Sequence, residues 1–465
     1  LPRRVVAARR LGSRRELLDS RVDPPASVTE RARGALWTCA AETQGVVHQH
    51  TAVLLDGVPE HLVDLLPVTT KLLLHAAQRD GRGVPPGILE GSLEVRASTE
   101  DVRHLRATWV VQGDCLAPDF AGRTALLRRG IEVASKISLP ELVGSLRQAL
   151  VLQRHALVHG GHRHLIWAAG AGLRPAPGAW HRWHGIQATR VAERLLRELL
   201  SPRTRGRRVE AVSETARLLG CAAKEHLVVA EVSVLDATVR EWQAVWRERR
   251  SGRSGARVVD RAATPDLRGA APPTQVAWLS DLEQAGCAVA YGTAPASHPD
   301  SAALTVLAHA VDEEIRATAR EIRGAYACGA GHDATNGLFH VFSFRDPDVL
   351  RTVDDFLDLQ RRVARGYNRD VVTLATRAAL RALEPSASPI EDARTEFTNQ
   401  RTGRTSMHRQ AYRDSLLAVE PEDLARVAAR YLCAAPSVAI LAPRRARHDL
   451  ERRGFATIFA AGIEE

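Results

Sequence analysis

A plan repeated on either side of one bridge constrains the fold of this chain more than any other feature. Residues 247–273 are dense in Arg, Gly, Ser, Ala and Pro, the composition of a linker rather than of a packed element. Before the bridge, apolar spacing predicts strand from Trp37 to Leu55, a turn at Gly57-Val-Pro59, a helix from His61 to Ala77 and a strand pair at Gly91–Arg96 and Leu105–Val111. Helical spacing follows over 120–134, 139–160 and 189–199, with the second of these expected to end at Gly160-Gly161, and then a strand over Glu225–Leu235. After the bridge the plan returns: a strand (Cys287–Gly292), a helix (Ala302–Ile322), a hairpin (Ala325–Phe344), helices at 349–364, 370–383 and 421–431, and a strand (Ser437–Ala442). The period of two in the strands and of about 3.6 in the helices carries these assignments. Two halves with one order of elements read as an internal duplication. Strands mixed with helices, without strict βα alternation, predict an α+β fold with an antiparallel-rich mixed sheet packed with helices in each half. The expected units are an arm at 1–30, a first domain at 31–246, a linker at 247–273 and a second domain at 274–465.

Composition excludes several classes. With 45% hydrophobic and 25% charged residues, the 465-residue chain is that of a globular protein with room for two cores. The apolar run from Leu62 to Leu74 is broken by Asp, Pro and Lys, well short of the roughly 18 residues a membrane span needs. The formal net charge is +10, yet Lys71, Lys136 and Lys224 are the only lysines. An excess made of arginine beside abundant alanine is what a GC-rich genome gives. With aromatics at 5% and no recognition signature, no nucleic-acid partner is expected.

The six cysteines, Cys39, Cys115, Cys221, Cys287, Cys328 and Cys433, are scattered without a CxxC pair. Reduced thiols and a cytoplasmic location are therefore the expectation. The start, Leu1-Pro-Arg-Arg, lacks the apolar run of a signal peptide. Met407 is the only methionine, so the chain is expected to be a C-terminal portion of a longer product, or to have a misassigned start.

One segment carries chemistry. Arg320-Glu321-Ile322-Arg323-Gly324-Ala325-Tyr326 ends a helix, turns on a glycine and opens a strand with a tyrosine. Asp333-Ala-Thr-Asn-Gly337 then turns the chain into a second strand, closed by Arg345-Asp-Pro347. Elsewhere stand Gly161-His-Arg163, Ala168-Ala169 and His184-Gly185-Ile186, and, late in the chain, Tyr412-Arg-Asp-Ser-Leu-Leu417 before Glu420-Pro-Glu-Asp-Leu424. In this order over about 300 residues, these pieces resemble the pitrilysin/insulinase-type zinc metallopeptidases, and within them the presequence-protease branch.

The resemblance implies the third and fourth of the family's four domains, the C-terminal half of a closed chamber that degrades unfolded peptides. It implies that Arg320 and Tyr326, six apart as in the family, stabilise the transition state in an active site whose zinc is bound elsewhere. A cation and a phenol beside a developing oxyanion are suited to that work. The plain alternative gives Arg320 a helix C-terminus to cap and Tyr326 a place in the sheet. The family's inverted zinc motif, H-x-x-E-H, is absent: at Glu225-His226 the position three before the glutamate is Ala222. No metal ligand is therefore assigned in this chain; zinc and the general base are expected on an N-terminal half or partner subunit, with the chain alone inactive. The other reading is a catalytically inactive homologue acting as a scaffold or peptide-binding subunit.

Other chemistry is weaker. His155 and His159 stand one helical turn apart with His162, His164, His181 and His184 nearby, but no carboxylate or thiol has matching spacing. His48 and His50 share a strand face, and Asp354, Asp355 and Asp358 read as a solvated helix face. Gly329-Ala-Gly331 precedes a hairpin, not a helix, so it makes no phosphate cradle.

Overall fold

The computed structural model describes residues 26–32, 34–80, 89–97, 104–132, 138–247, 274–283, 285–318, 324–364, 366–383 and 388–460. The linker over 247–273, Arg247 apart, and the arm up to residue 25 lie outside them.

Among the described residues, the β-branched and alanine-rich runs form two sheets of six strands. The first contains β1 (Val28–Ala32), β2 (Leu36–Ala40), β3 (Val46–Leu54), β4 (Leu89–Ala97), β5 (Leu105–Leu116) and β6 (Lys224–Ala230), in the spatial order β1-β2-β6-β3-β5-β4. The second contains β7 (Gln275–Ser280), β8 (Gly286–Gly292), β9 (Ala327–Asp333), β10 (Leu338–Phe344), β11 (Ser437–Pro443) and β12 (Ala456–Phe459), in the order β12-β7-β11-β8-β10-β9. Without the outer strands β1 and β12, adding five to each number of the first order gives the second. The central pairs β2–β6 and β7–β11 are parallel, as is β12–β7, and the remaining pairs are antiparallel. This is the α+β duplication expected from the sequence. The flanking strands differ: β1 precedes its half and runs antiparallel to β2, whereas β12 follows its half and runs parallel to β7.

Each sheet is covered on one face by its own helices and on the other by a helix from the opposite half. The 32-residue helix Leu139–Gly170 does this for the second sheet. Its first turns bury Leu142, Leu146 and Leu150 in the first-half core with Trp109 and Trp183. Its last turns lay Leu157, Leu165, Ala168 and Ala169 on Trp278, Ala288, Ala290, Ala439 and Leu441 of the second sheet. The alternation in β8, Cys287-Ala-Val-Ala-Tyr291, sets this up: large side chains join their own half's core and small ones admit the visiting helix. In return, the helix Pro389–Thr402 sets Ala393 and Phe397 on Trp37, Cys39, Leu227 and Val229 of the first sheet. The helix Ser301–Ile315 buries ten residues, because it lies between β9 and further helices and so needs no polar face.

Several expectations are corrected. The run drawn as one strand from Trp37 to Leu55 is two, Leu36–Ala40 and Val46–Leu54, and the helix drawn over 349–364 breaks at Asp358 into Val349–Leu357 and Leu359–Val363. The helix expected to stop at Gly160-Gly161 runs on to Gly170, with a kink at Gly160 (φ −134°, ψ 26°). The strand drawn to Leu235 ends at Ala230, and a helix, Val232–Arg247, follows at once. Glu231 causes the switch: its carbonyl accepts from Val234 and Leu235 N–H, and its carboxylate holds Gly45 N–H at 2.9 Å. The helix drawn from Ala302 to Ile322 is regular over Ser301–Ile315 and widens into a π-type turn at 316–318, and its expected last residues, 319–322, lie outside the described residues. Helices Pro175–Trp183, Arg205–Cys221 and Pro389–Thr402 were missed from the sequence. Among the described residues, no helix is long and apolar enough to cross a membrane.

Candidate active-site residues

Tyr326 sits just before β9, opposite the end of β10. The hairpin register pairs Ala327 with Phe344, so Tyr326 and Arg345 face each other next. Tyr326 N–H donates to Arg345 O at 3.3 Å, and the Arg345 guanidinium lies over the Tyr326 ring, 4.9 Å from its centroid. The ring is otherwise open to solvent: Tyr326 is 67% exposed. A large aromatic so exposed, beside a cation, has a phenol free to meet a ligand. Gly324 (φ +79°) supplies the left-handed turn into this position.

Arg345 is itself in the left-handed region, with φ +50°, a conformation uncommon for a residue with a Cβ. From there its Nη2 donates to the carbonyl of Val158, 3.2 Å away on the long helix of the first half. The rest of the Arg345-Asp-Pro347 turn is local carpentry. Asp346 N–H donates to Ala285 O, its buried carboxylate accepts from Asp348 N–H at 2.9 Å, and Asp348 caps the helix Val349–Leu357 by accepting from Arg351 N–H.

Arg320, the other residue assigned from the resemblance, lies outside the described residues, as does Arg323. Of the expected pair, the structure therefore places Tyr326 and gives it Arg345 as neighbour. Arg345 was quoted in the sequence pattern without a role. Counting back from the hairpin turn would have set it opposite Tyr326.

The strand that follows Tyr326 is closed at its free edge. Asp312 of the helix Ser301–Ile315 accepts from Ala330 N–H at 2.9 Å and pairs with Arg316 at 3.0 Å. Gly329 leaves room for that carboxylate, since a Cβ there would sit 2.4 Å from Asp312 Oδ1. Cys328 is buried and its thiol donates to Ile315 O, so it belongs to the core. Further along, His332 Nε2–H donates to Ala294 O at 3.2 Å, and its Nδ1 accepts from the Thr305 hydroxyl at 2.8 Å. Thr305 in turn accepts from Tyr412 at 2.6 Å. A carbonyl can only accept, which fixes the tautomer and the direction of the chain. Burial drives the His332 pKa down to about 3; the network is neutral and serves to hold the hairpin on its helix.

No metal centre emerges. Among the described residues no group of three or more His, Cys, Asp or Glu is arranged to hold a metal ion. Glu225 is 9% exposed and is gripped by Arg106 (3.1 Å) and Arg401. His226, buried between Trp242 and Trp246, hydrogen-bonds Thr51 at 2.9 Å. Both residues of the nearest sequence match are thus engaged in packing and ion pairing, and zinc does not fit them. His155 and His159 lie side by side on the exposed helix face, ring centroids 4.2 Å apart and planes tilted by 40°. His162 packs on Phe342, with centroids 5.1 Å apart and planes 24° apart, and burial lowers its pKa. His48 pairs with Asp114 at 2.7 Å, which holds the Asp114 carboxyl below its ordinary pKa, while His50 is buried against Phe397. Asp354 and Asp358 pair with Arg453 and Arg361.

The duplicated six-stranded sheets, each covered by a helix from the other half, make this the fold of the pitrilysin/insulinase-type peptidases. The fold covers 91% of this chain and 43% of the chain in the crystal structure of pitrilysin (TM-score 0.54, 10% identity). It covers 90% of this chain and 98% of a "peptidase M16 inactive domain" from Pseudomonas fluorescens (TM-score 0.55, 12% identity). At the level of sequence, the chain is similar to "Presequence protease, mitochondrial" of Danio rerio, 25% identical over 436 residues. That match takes in 85% of this chain and 40% of the other protein, so the chain spans about two fifths of this relative's length. No family model matches the sequence. The chain is a relative of the pitrilysin/insulinase-type peptidases, of the presequence-protease kind.

Proposed function

We propose that this chain is the C-terminal, zinc-free half of a metalloendopeptidase that degrades unfolded peptides in a closed chamber. The observation that carries the reading is the exposed phenol of Tyr326, held at the end of the hairpin over the Arg345 cation. Its match to two fifths of a presequence protease supports a missing half, on the same polypeptide or on a partner subunit. Zinc and the general base belong to that half, because the residues described here do not fit a metal.

The contribution of this chain is electrostatic. As a peptide carbonyl is attacked, charge gathers on its oxygen; a phenol already aimed there donates more strongly to the transition state than to the bound peptide. Arg320 is the second donor in this reading. None of the six cysteines is in a disulfide, in keeping with a reducing, cytoplasmic compartment for the assembly.

The test is kinetic, on the chain assembled with its zinc-bearing half. Tyr326→Phe deletes only the hydroxyl and should lower kcat on the order of 100-fold with little change in KM or melting temperature; Arg320→Ala should act likewise. Wild-type turnover in Tyr326→Phe would sink the assignment. A second reading, a catalytically inactive scaffold or peptide-binding subunit, is favoured by the likeness to a Pseudomonas domain described as inactive. It expects peptide binding and assembly without any loss in either variant.

A further inference from the structure

We infer that Arg345 is the positioning residue for Tyr326, tying its phenol to the kinked helix of the other domain. The inference rests on the role proposed for Tyr326 and goes beyond it, since it gives the first half of the chain a part in the site. Four observations converge on one spot. The Arg345 guanidinium covers one face of a ring that is otherwise open to solvent. The same guanidinium donates to Val158 O, two residues before the kink at Gly160. Gly161 lets the adjoining Phe344 ring press against the helix where any Cβ would collide. Finally, Arg345 keeps a left-handed backbone, φ +50°, of the kind that persists only where its surroundings hold it.

The side chain thus forms a bridge: helix carbonyl, guanidinium, aromatic face. A phenol on a strand end would otherwise sample several rotamers. The planar cation confines the ring, which a point charge on a lysine does less well. Arg345 is not placed against the reacting atoms; it acts through Tyr326, and it makes the orientation of that phenol depend on the seating of the Leu139–Gly170 helix.

Two measurements test this. In the full chain labelled with 3-fluorotyrosine, the Tyr326 signal, assigned by its disappearance in Tyr326→Phe, should move towards the free-tyrosine position in Arg345→Ala and part of the way in Arg345→Lys. An unmoved signal in Arg345→Ala overturns the positioning. In the chain assembled with its zinc-bearing half, Arg345→Ala should lower kcat on the order of 10- to 100-fold, leaving KM near the wild-type value. It should cause no further loss in the Tyr326→Phe background, and Arg345→Lys should recover part of the rate. Should Arg345→Ala compromise folding, the lysine variant carries both readouts. Losses that add across the two positions mean that Arg345 acts independently, and the proposal falls while the role of Tyr326 stands. A silent Tyr326→Phe removes that role, and the catalytic meaning of the bridge with it.

Discussion

The Phe344 ring occupies the space that a side chain at Gly161 would fill: a Cβ there would lie 2.3 Å from Phe344 Cε2. Gly160, one residue earlier, has nothing within 4 Å of its would-be Cβ. The two glycines therefore do different work. Gly161→Ala should cost about 1–3 kcal/mol through overpacking at the seam between the halves, read by urea unfolding. Gly160→Ala should be nearly neutral, because open space receives the added methyl while the kinked, non-helical backbone (φ −134°, ψ 26°) gives alanine no helix-propensity gain. Equal effects at both positions would mean that the seam relaxes freely.

Glu225 joins the halves electrically. Its carboxylate meets Arg106 of β5 and Arg401 of the helix Pro389–Thr402, and Arg106 also donates to Arg401 O at 2.8 Å. Glu225→Gln removes the charge and leaves two arginines facing each other in a poorly solvated seam. A loss of about 3–5 kcal/mol is expected in chemical denaturation. A loss under 1 kcal/mol would show the seam to be wetter than its burial implies.

Acid should weaken the fold. Burial lowers the pKa of His50, His181, His226 and His332 to about 3, and of His164 and His340 to about 4, from an ordinary 6.5. The unfolded chain binds protons below pH 6.5 while the folded chain does not, so the stabilisation present above 6.5 is lost as pH falls towards 4 and 3. Each imidazole costs at most about 1.4 kcal/mol per pH unit in that window. Melting temperature should fall steadily between pH 6.5 and 5, and a flat profile would contradict the buried, neutral assignment.

Metal should be irrelevant to the isolated chain. After dialysis, metal analysis should find no stoichiometric zinc, a quenched peptide should not be cut, and a chelator should leave the melting temperature unchanged. One tightly held zinc per chain would overturn the division of labour proposed above.

Limited proteolysis should cut first within 247–273 and leave two resistant fragments. The seam through the Leu139–Gly170 and Pro389–Thr402 helices should keep them together under native conditions, so a nicked chain should elute as one species on gel filtration. Fragments that part on nicking would mean the exchanged helices contribute little.

Much of the fold was legible because it is local. Alternation marks β3, β4, β5, β8 and β11, helical spacing marks 421–431, and the matching order of elements carries the duplication. The Tyr326 hairpin was legible for the same reason: a turn of Asp, Asn and Gly fixes its own register. What the sequence could not decide is which surfaces meet. Gly160-Gly161 carries the composition of a helix end, yet the helix continues, because the second sheet buries its last turns and repays a local cost with apolar contact. Glu225-His226 looks like part of a metal motif until Arg106, Arg401 and two tryptophans are seen to surround it. The hairpin register sets Arg345 opposite Tyr326, but nothing local makes its side chain reach Val158, 187 positions earlier in the chain. Spacing along the chain determines the elements, because backbone hydrogen bonds and side-chain periodicity act over a few residues. Only tertiary packing brought the first half's helix beneath the second half's hairpin, because burial rewards contact regardless of separation in sequence.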